Sequence, residues 1–167
     1  MSEIFKKLNF KNHSNLLVLN APDSFLPELA GLSAEQVKTD LDAVNAIDFS
    51  LAFVTQPAQV EALAPQIARK AQGDAPIWFA YPKGRSKKYQ TSLNRDNGWE
   101  CLGREGYEVV RLVAIDADWS ALRFRRTAYI KSLTRTSLPV MSEAGKQRLA
   151  DAKNTDPAEP QSPKKFD

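Results

Sequence analysis

Three apolar runs, each stopped by a proline, constrain this chain more than any other feature. They are Leu16-Leu17-Val18-Leu19 ahead of Asn20-Ala21-Pro22, residues 49–54 ahead of Thr55-Gln56-Pro57, and residues 77–81 ahead of Pro82-Lys83. A run of strand length without polar alternation belongs to a strand buried on both faces, as in a parallel sheet covered by helices. Proline cannot donate to a sheet ladder and pushes its predecessor out of helical space, so each run ends near its proline. In a parallel sheet the three stops share the carboxyl edge, where open α/β sheets bind ligands at the point of strand-order reversal.

The intervening segments read as helices. Asp23 and Ser24 offer N-caps for a short helix, with Pro27 in its first turn and Gly31 past its end. Val37, Leu41 and Val44 recur at helical spacing and predict a second helix over residues 33–46. Pro57 opens a third, whose apolar face is Val60, Leu63, Ala64, Ile67 and Ala71, kinked or split at Pro65. A fourth is expected over about 95–104. Residues 107–115 and 120–126 read as strands joined by Asp116-Ala117-Asp118-Trp119, a connection so short that the pair must be antiparallel. The expected architecture is α/β: a three-layer, open, mostly parallel sheet of about five strands ending in an antiparallel hairpin, with helices on both faces. Residues 1–14 read as a basic leader, 15–135 as a Rossmann-like domain, 136–153 as a helical extension and 154–167 as a disordered tail.

Charge is unevenly placed. The net charge of +3 divides into −3 over residues 1–81, +6 over residues 82–135 and a balanced remainder. The basic second half favours an anionic partner, whether a small metabolite or a nucleic acid, although ordinary solubilising charge accounts for the same residues. Its densest stretch is Pro82-Lys83-Gly84-Arg85-Ser86-Lys87-Lys88, four cations around a glycine directly after a buried strand. Such a loop can cradle a phosphate or carboxylate, though it lacks the spacing of a Walker loop. Asn20 ends the first strand on the same edge and can both donate and accept. Asn20, Lys83, Arg85 and Lys88 are therefore the candidate ligand-binding residues.

Several chemistries find no support in the residues. His13 is the single histidine and Cys101 the single cysteine, so neither zinc-ligand spacing nor a histidine-based nucleophile motif is present. Cys101 lies where a small buried residue is the default. Asp116 and Asp118 read as turn residues. Arg111, Arg123 and Arg125 fall on the hairpin strands, where cations can guard a sheet edge without binding anything. The first strand-to-helix turn, Asn20-Ala21-Pro22-Asp23, has no Gly-x-Gly-x-x-Gly, so no dinucleotide or other cofactor is expected there. No apolar run approaches the roughly 20 residues of a membrane span, and the start of the chain has no signal-peptide core, so a cytoplasmic location is expected.

Val18-Leu19-Asn20-Ala21-Pro22, residues 77–83 and Asp118-Trp119-Ser120-Ala121-Leu122-Arg123 occur in the order in which they stand in a small bacterial family of unknown function. The chain resembles that family over roughly residues 10–126, the resemblance implying a Rossmann-like, methyltransferase-like α/β fold and no assigned activity. The reading that follows is a non-catalytic module binding a small anion or metabolite on a methyltransferase-like shell. The alternative is a transferase-like enzyme acting on an anionic substrate at the carboxyl edge, and a weaker one is nucleic-acid binding.

The tail generates a test. Residues 154–167 hold three prolines and a single large apolar residue, Phe166, so burial cannot offset the entropy of ordering them. Truncation after Lys153 should leave the Tm unchanged; a loss of several degrees in differential scanning would refute this.

Overall fold

The computed structural model describes residues 2–11 and 13–130, so the expected helical extension over 136–153 and the tail lie outside the described residues. A six-stranded sheet is ordered β2-β1-β3-β4-β6-β5, comprising β1 (Leu16–Leu19), β2 (Val37–Lys38), β3 (Phe49–Phe53), β4 (Ile77–Pro82), β5 (Tyr107–Ala114) and β6 (Trp119–Arg126). β1 to β4 pair in parallel, and β6 runs antiparallel between β4 and β5. The closing hairpin therefore folds back so that its second strand, not its first, joins the parallel body. Every residue of β1, β3 and β4 is buried, Ser50 of β3 included, as their apolar runs predict.

Alternation along these strands feeds two cores. Leu17, Leu19, Ile77, Phe79, Leu122 and Phe124 meet helix α3 (Pro57–Lys70) and the short helix α4 (Glu100–Arg104) through Val60, Ala64, Ile67 and Leu102. Leu16, Val18, Leu51, Phe53, Trp78 and Ala80 face the other way, onto helix α1 (Glu3–Lys7) and Phe10 and Phe25. Three layers result. Residues 3–10 contribute to one of them: Phe5 and Leu8 are fully buried, and Trp78 Nε1 donates to the Leu8 carbonyl at 2.9 Å. Helix α3 runs unbroken through Pro65.

The helix expected over 33–46 does not form. In its place stand β2, paired to Leu16 and Leu17, and a 3-10 turn over Leu41–Ala43. The Asp40 carboxylate accepts the Asp42 amide at 2.9 Å, a local bond that competes with helix formation. The helical spacing of Leu41 and Val44 serves instead to bury both side chains in the α3 core. The fourth helix is likewise shorter than its pattern, because Asn94-Arg95-Asp96-Asn97-Gly98 makes a turn, with Asn94 Oδ1 accepting from Asp96 N and Gly98 at φ 103°.

Trp78→Ala tests the two-core arrangement. The side chain is fully buried and its indole is hydrogen-bonded, so truncation should cost ~3–5 kcal/mol. Chemical denaturation showing wild-type stability would mean the strand is not central.

Candidate functional site

The basic loop is built rather than loose. Ser86 is its hub: its hydroxyl donates to Asp118 Oδ1 at 2.9 Å and accepts the amides of Lys88 and Tyr89. Lys83 N donates to the Asp118 carbonyl at 2.8 Å, and Ser86 N to the Lys83 carbonyl at 2.9 Å. Asp118 is itself fixed by the hairpin turn, where Asp116 Oδ1 accepts the amides of Asp118 and Trp119. Asp116 is thus a turn residue as its position suggested, whereas Asp118 ties the hairpin tip to the basic loop.

Beside this loop lies a hollow of about 420 Å³, lined by Tyr81, Lys83, Gly84, Arg85, Leu93, Asn94, Arg95 and Ser120. Strand alternation places Tyr81 and Lys83 on one side of β4, and Tyr81 stands opposite Ser120 in the β4–β6 register. The Tyr81 ring rests against Trp99, centroids 5.6 Å apart, and Trp99 Nε1 donates to the Asn94 carbonyl at 2.7 Å. The residue is 6% exposed, yet its hydroxyl has no hydrogen-bond partner among the described residues. Burial pushes the phenol above its usual range, with Arg95 opposing, so it stands in the hollow as a neutral donor. Arg95 shares its charge with Asp96 at 3.4 Å; among the described residues Lys83 and Arg85 form no ion pair.

The four residues singled out from the sequence do not converge. Lys83 and Arg85 line the hollow; Lys88 does not, its ammonium lying 3.9 Å from Asp118 Oδ2. Asn20 sits two strands away, at φ 58°, with its amide nitrogen 3.4 Å from the Phe53 carbonyl it donates to. Tyr81, Arg95 and Asn94 were not singled out. Tyr81 belonged to an apolar run and Arg95 to an expected helix; the signal for both was the turn composition of residues 94–98 and the two-residue alternation leading from Tyr81 to Lys83.

His13 lies before β1, at the opposite edge of the sheet, packed on Phe10 and Phe49 with Nδ1 accepting the Lys11 amide at 3.0 Å. Cys101 is buried, and burial raises its thiol pKa. Among the described residues no group of three His, Cys, Asp or Glu gathers as a metal site, and no helix is long and apolar enough to cross a membrane.

No protein-family model matches the chain, and no curated protein matches it. Among solved structures, a SAM-dependent methyltransferase from Aquifex aeolicus is similar over 73% of this chain and 87% of its own, with 16% identity and a TM-score of 0.53. A protein of the NADB-Rossmann superfamily from Streptococcus agalactiae covers 93% of this chain and 84% of its own, at 10% identity and a TM-score of 0.47. An RNA methyltransferase from Salinibacter ruber, in complex with S-adenosyl-L-homocysteine, covers 77% and 92%, at 10% identity and a TM-score of 0.44. The property shared with the Aquifex aeolicus structure is the fold, a methyltransferase-like α/β sheet.

A nucleotide-type cosubstrate in such a sheet needs a close backbone approach after the first strand and a helix N-terminus for its charged group. The turn after β1 does not fit that need. Asn20 bridges the mouth between β1 and β3, Pro22 follows, and the next residues form a 3-10 turn (Asp23–Phe25) and a four-residue helix α2 (Leu26–Leu29). Phe25 from this turn is buried against Phe53, centroids 4.9 Å apart.

His13 provides a pH test. Burial lowers its pKa below 6.5, with Asp48 opposing and Lys11 and Arg123 reinforcing. The unfolded chain therefore binds the proton first, and stability that is complete above pH 6.5 is lost as pH falls below it. Thermal melts should show this acid limb in the wild type and a flatter one in His13→Gln; identical slopes would assign the limb to carboxylates.

Proposed function

We propose that the protein binds a small anionic metabolite in the hollow at the carboxyl end of β4, as a non-catalytic module on its methyltransferase-like shell. The observation that carries this reading is the Tyr81 hydroxyl, which has no protein partner among the described residues and reaches solvent in the hollow lined by Lys83, Arg85 and Arg95. A neutral donor at the mouth of a hollow, with no protein acceptor of its own, is free to bond a polar group bound there. The cations attract an ionised group, the neutral phenol and the Asn94 side chain orient it, and Leu93 with the ring of Tyr81 offers an apolar wall for the ligand's body. The non-catalytic half of the proposal rests on the turn after β1, which Asn20, Pro22 and Phe25 occupy.

Thermal-shift and calorimetric profiling of the full chain against phosphate esters and di- and tricarboxylates tests this. A hit should raise the Tm, since only the folded state holds the site. Tyr81→Phe and Arg85→Gln should each weaken that ligand about tenfold or more, the loss expected of a charge-assisted hydrogen bond. A panel with no hit, or a hit indifferent to both variants, would sink the reading. Methyl transfer from S-adenosylmethionine to any hit would overturn its non-catalytic half.

A further inference from the structure

The opposite face of the closing hairpin carries a second arrangement of unpaired cations. The β5–β6 register sets Arg111 directly across from Arg123, after a bulge between Val109 and Arg111. Alternation puts both on the face of Val113 and Ala121, toward the α1 layer, whereas Tyr81 and Ser120 look into the hollow on the other face. Like charges directly opposed across an antiparallel pair repel, with Cβ atoms only about 4.5–5.5 Å apart.

The next arginine along the strand displays what a satisfied one looks like here. Arg125 donates through Nε and Nη2 to both oxygens of Asp74 at 2.6–3.1 Å, occupying that carboxylate. Arg123 has no such partner: it donates to no described residue, and its Nε is shut off from solvent and unpaired. Arg111 forms no ion pair among the described residues. Glu108, across from Arg125, is fully buried and has contacts of its own. Burial lowers the Arg123 pKa, Asp74 opposes, and Arg125 and Arg111 reinforce the lowering.

We propose that Arg111 and Arg123 form a two-arginine clamp for a tetrahedral oxyanion, a phosphate group. A single arginine fork reaches both oxygens of a planar carboxylate along one edge, as Arg125 does with Asp74. Two forks arriving from neighbouring strands are matched best by an acceptor whose oxygens point out of one plane, which phosphate supplies. The clamp is separate from the Tyr81 hollow and stands or falls independently of it.

The experiment is a titration of the full chain with inorganic phosphate, followed by the arginine Nε–H resonances in nitrogen-15 NMR. The Arg123 Nε–H signal should shift saturably with phosphate and stay put with acetate at equal ionic strength. Arg111→Gln, with its backbone amide spectrum otherwise unchanged, should weaken the effect about tenfold or more, Arg111→Lys should restore part of it, and Arg85→Gln should leave it intact. The proposal is overturned by a non-saturating response, by an equal response to acetate, or by a response that survives Arg111→Gln or disappears with Arg85→Gln.

Discussion

Strand β4 is the constraint on which the molecule depends. Its six residues are all buried, and it is hydrogen-bonded to β3 on one side and β6 on the other. A strand with no exposed face must send alternate side chains into two different cores. Ile77, Phe79 and Tyr81 go to the α3 layer, and Trp78 and Ala80 to the α1 layer. The N-terminal segment is recruited by the same strand, since the Trp78 indole needs an acceptor and finds the Leu8 carbonyl. The last residue of the α3-side series, Tyr81, is the first to reach the carboxyl edge. Its hydroxyl emerges where packing ends and the basic loop begins, so the core's own alternation positions the candidate ligand donor.

That position is displaced from the place an open α/β sheet usually offers. Strand order reverses between β1 and β3, and the crevice there is where ligands settle in this class of fold. Here Asn20 adopts the left-handed conformation that Asn tolerates better than most residues, and its side chain spans the gap to Phe53. Phe25 then seals the floor against Phe53, and Trp119 packs on Phe53 from the hairpin side, centroids 5.1 Å apart. The concave space appears one strand further on, between β4, the turn at residues 94–98 and the start of β6. Asp118 makes that shift workable, because a loop with four cations in six residues holds its shape only when something neutral or acidic anchors it.

How much was legible in the sequence follows from the range of the signals. The three long apolar runs are local and dense, so β1, β3 and β4 and the hairpin could be read directly, and with them the methyltransferase-like layering. β2 could not: two residues of strand carry no period, and the spacing of Val37, Leu41 and Val44 mimics a helix while serving a packed turn. Lys83 and Arg85 were legible as a basic loop after a buried strand. Arg95 was hidden because its neighbours, Asp96 and Asn97, fit a helix surface as well as a turn, and only Gly98 at φ 103° decides between them. Tyr81 was hidden for a different reason. Whether an aromatic at a strand's end is core or site depends on what closes over its hydroxyl, which is a tertiary fact.

The basic excess of the second half has a shape that the sequence total conceals. One group, Lys83, Arg85 and Arg95, borders the hollow on the α3 side of the sheet. The other, Arg111, Arg123 and Arg125, lies on the α1 side of the hairpin strands. The hairpin and β4 stand between them, so these six cations form two sets on opposite faces, with Lys87, Lys88, Arg104 and Arg126 outside both. A polyanion tracking a surface gains from contiguous charge and from many phosphates neutralised along one path. On the readings proposed above, two separate sets suit separate small anions instead, each met by charge-assisted bonds. In one set a phenol supplies the neutral donor, and in the other the register of two strands supplies a second arginine fork. Both arrangements follow from the same structural fact, an antiparallel strand inserted beside β4 whose alternate residues face opposite layers.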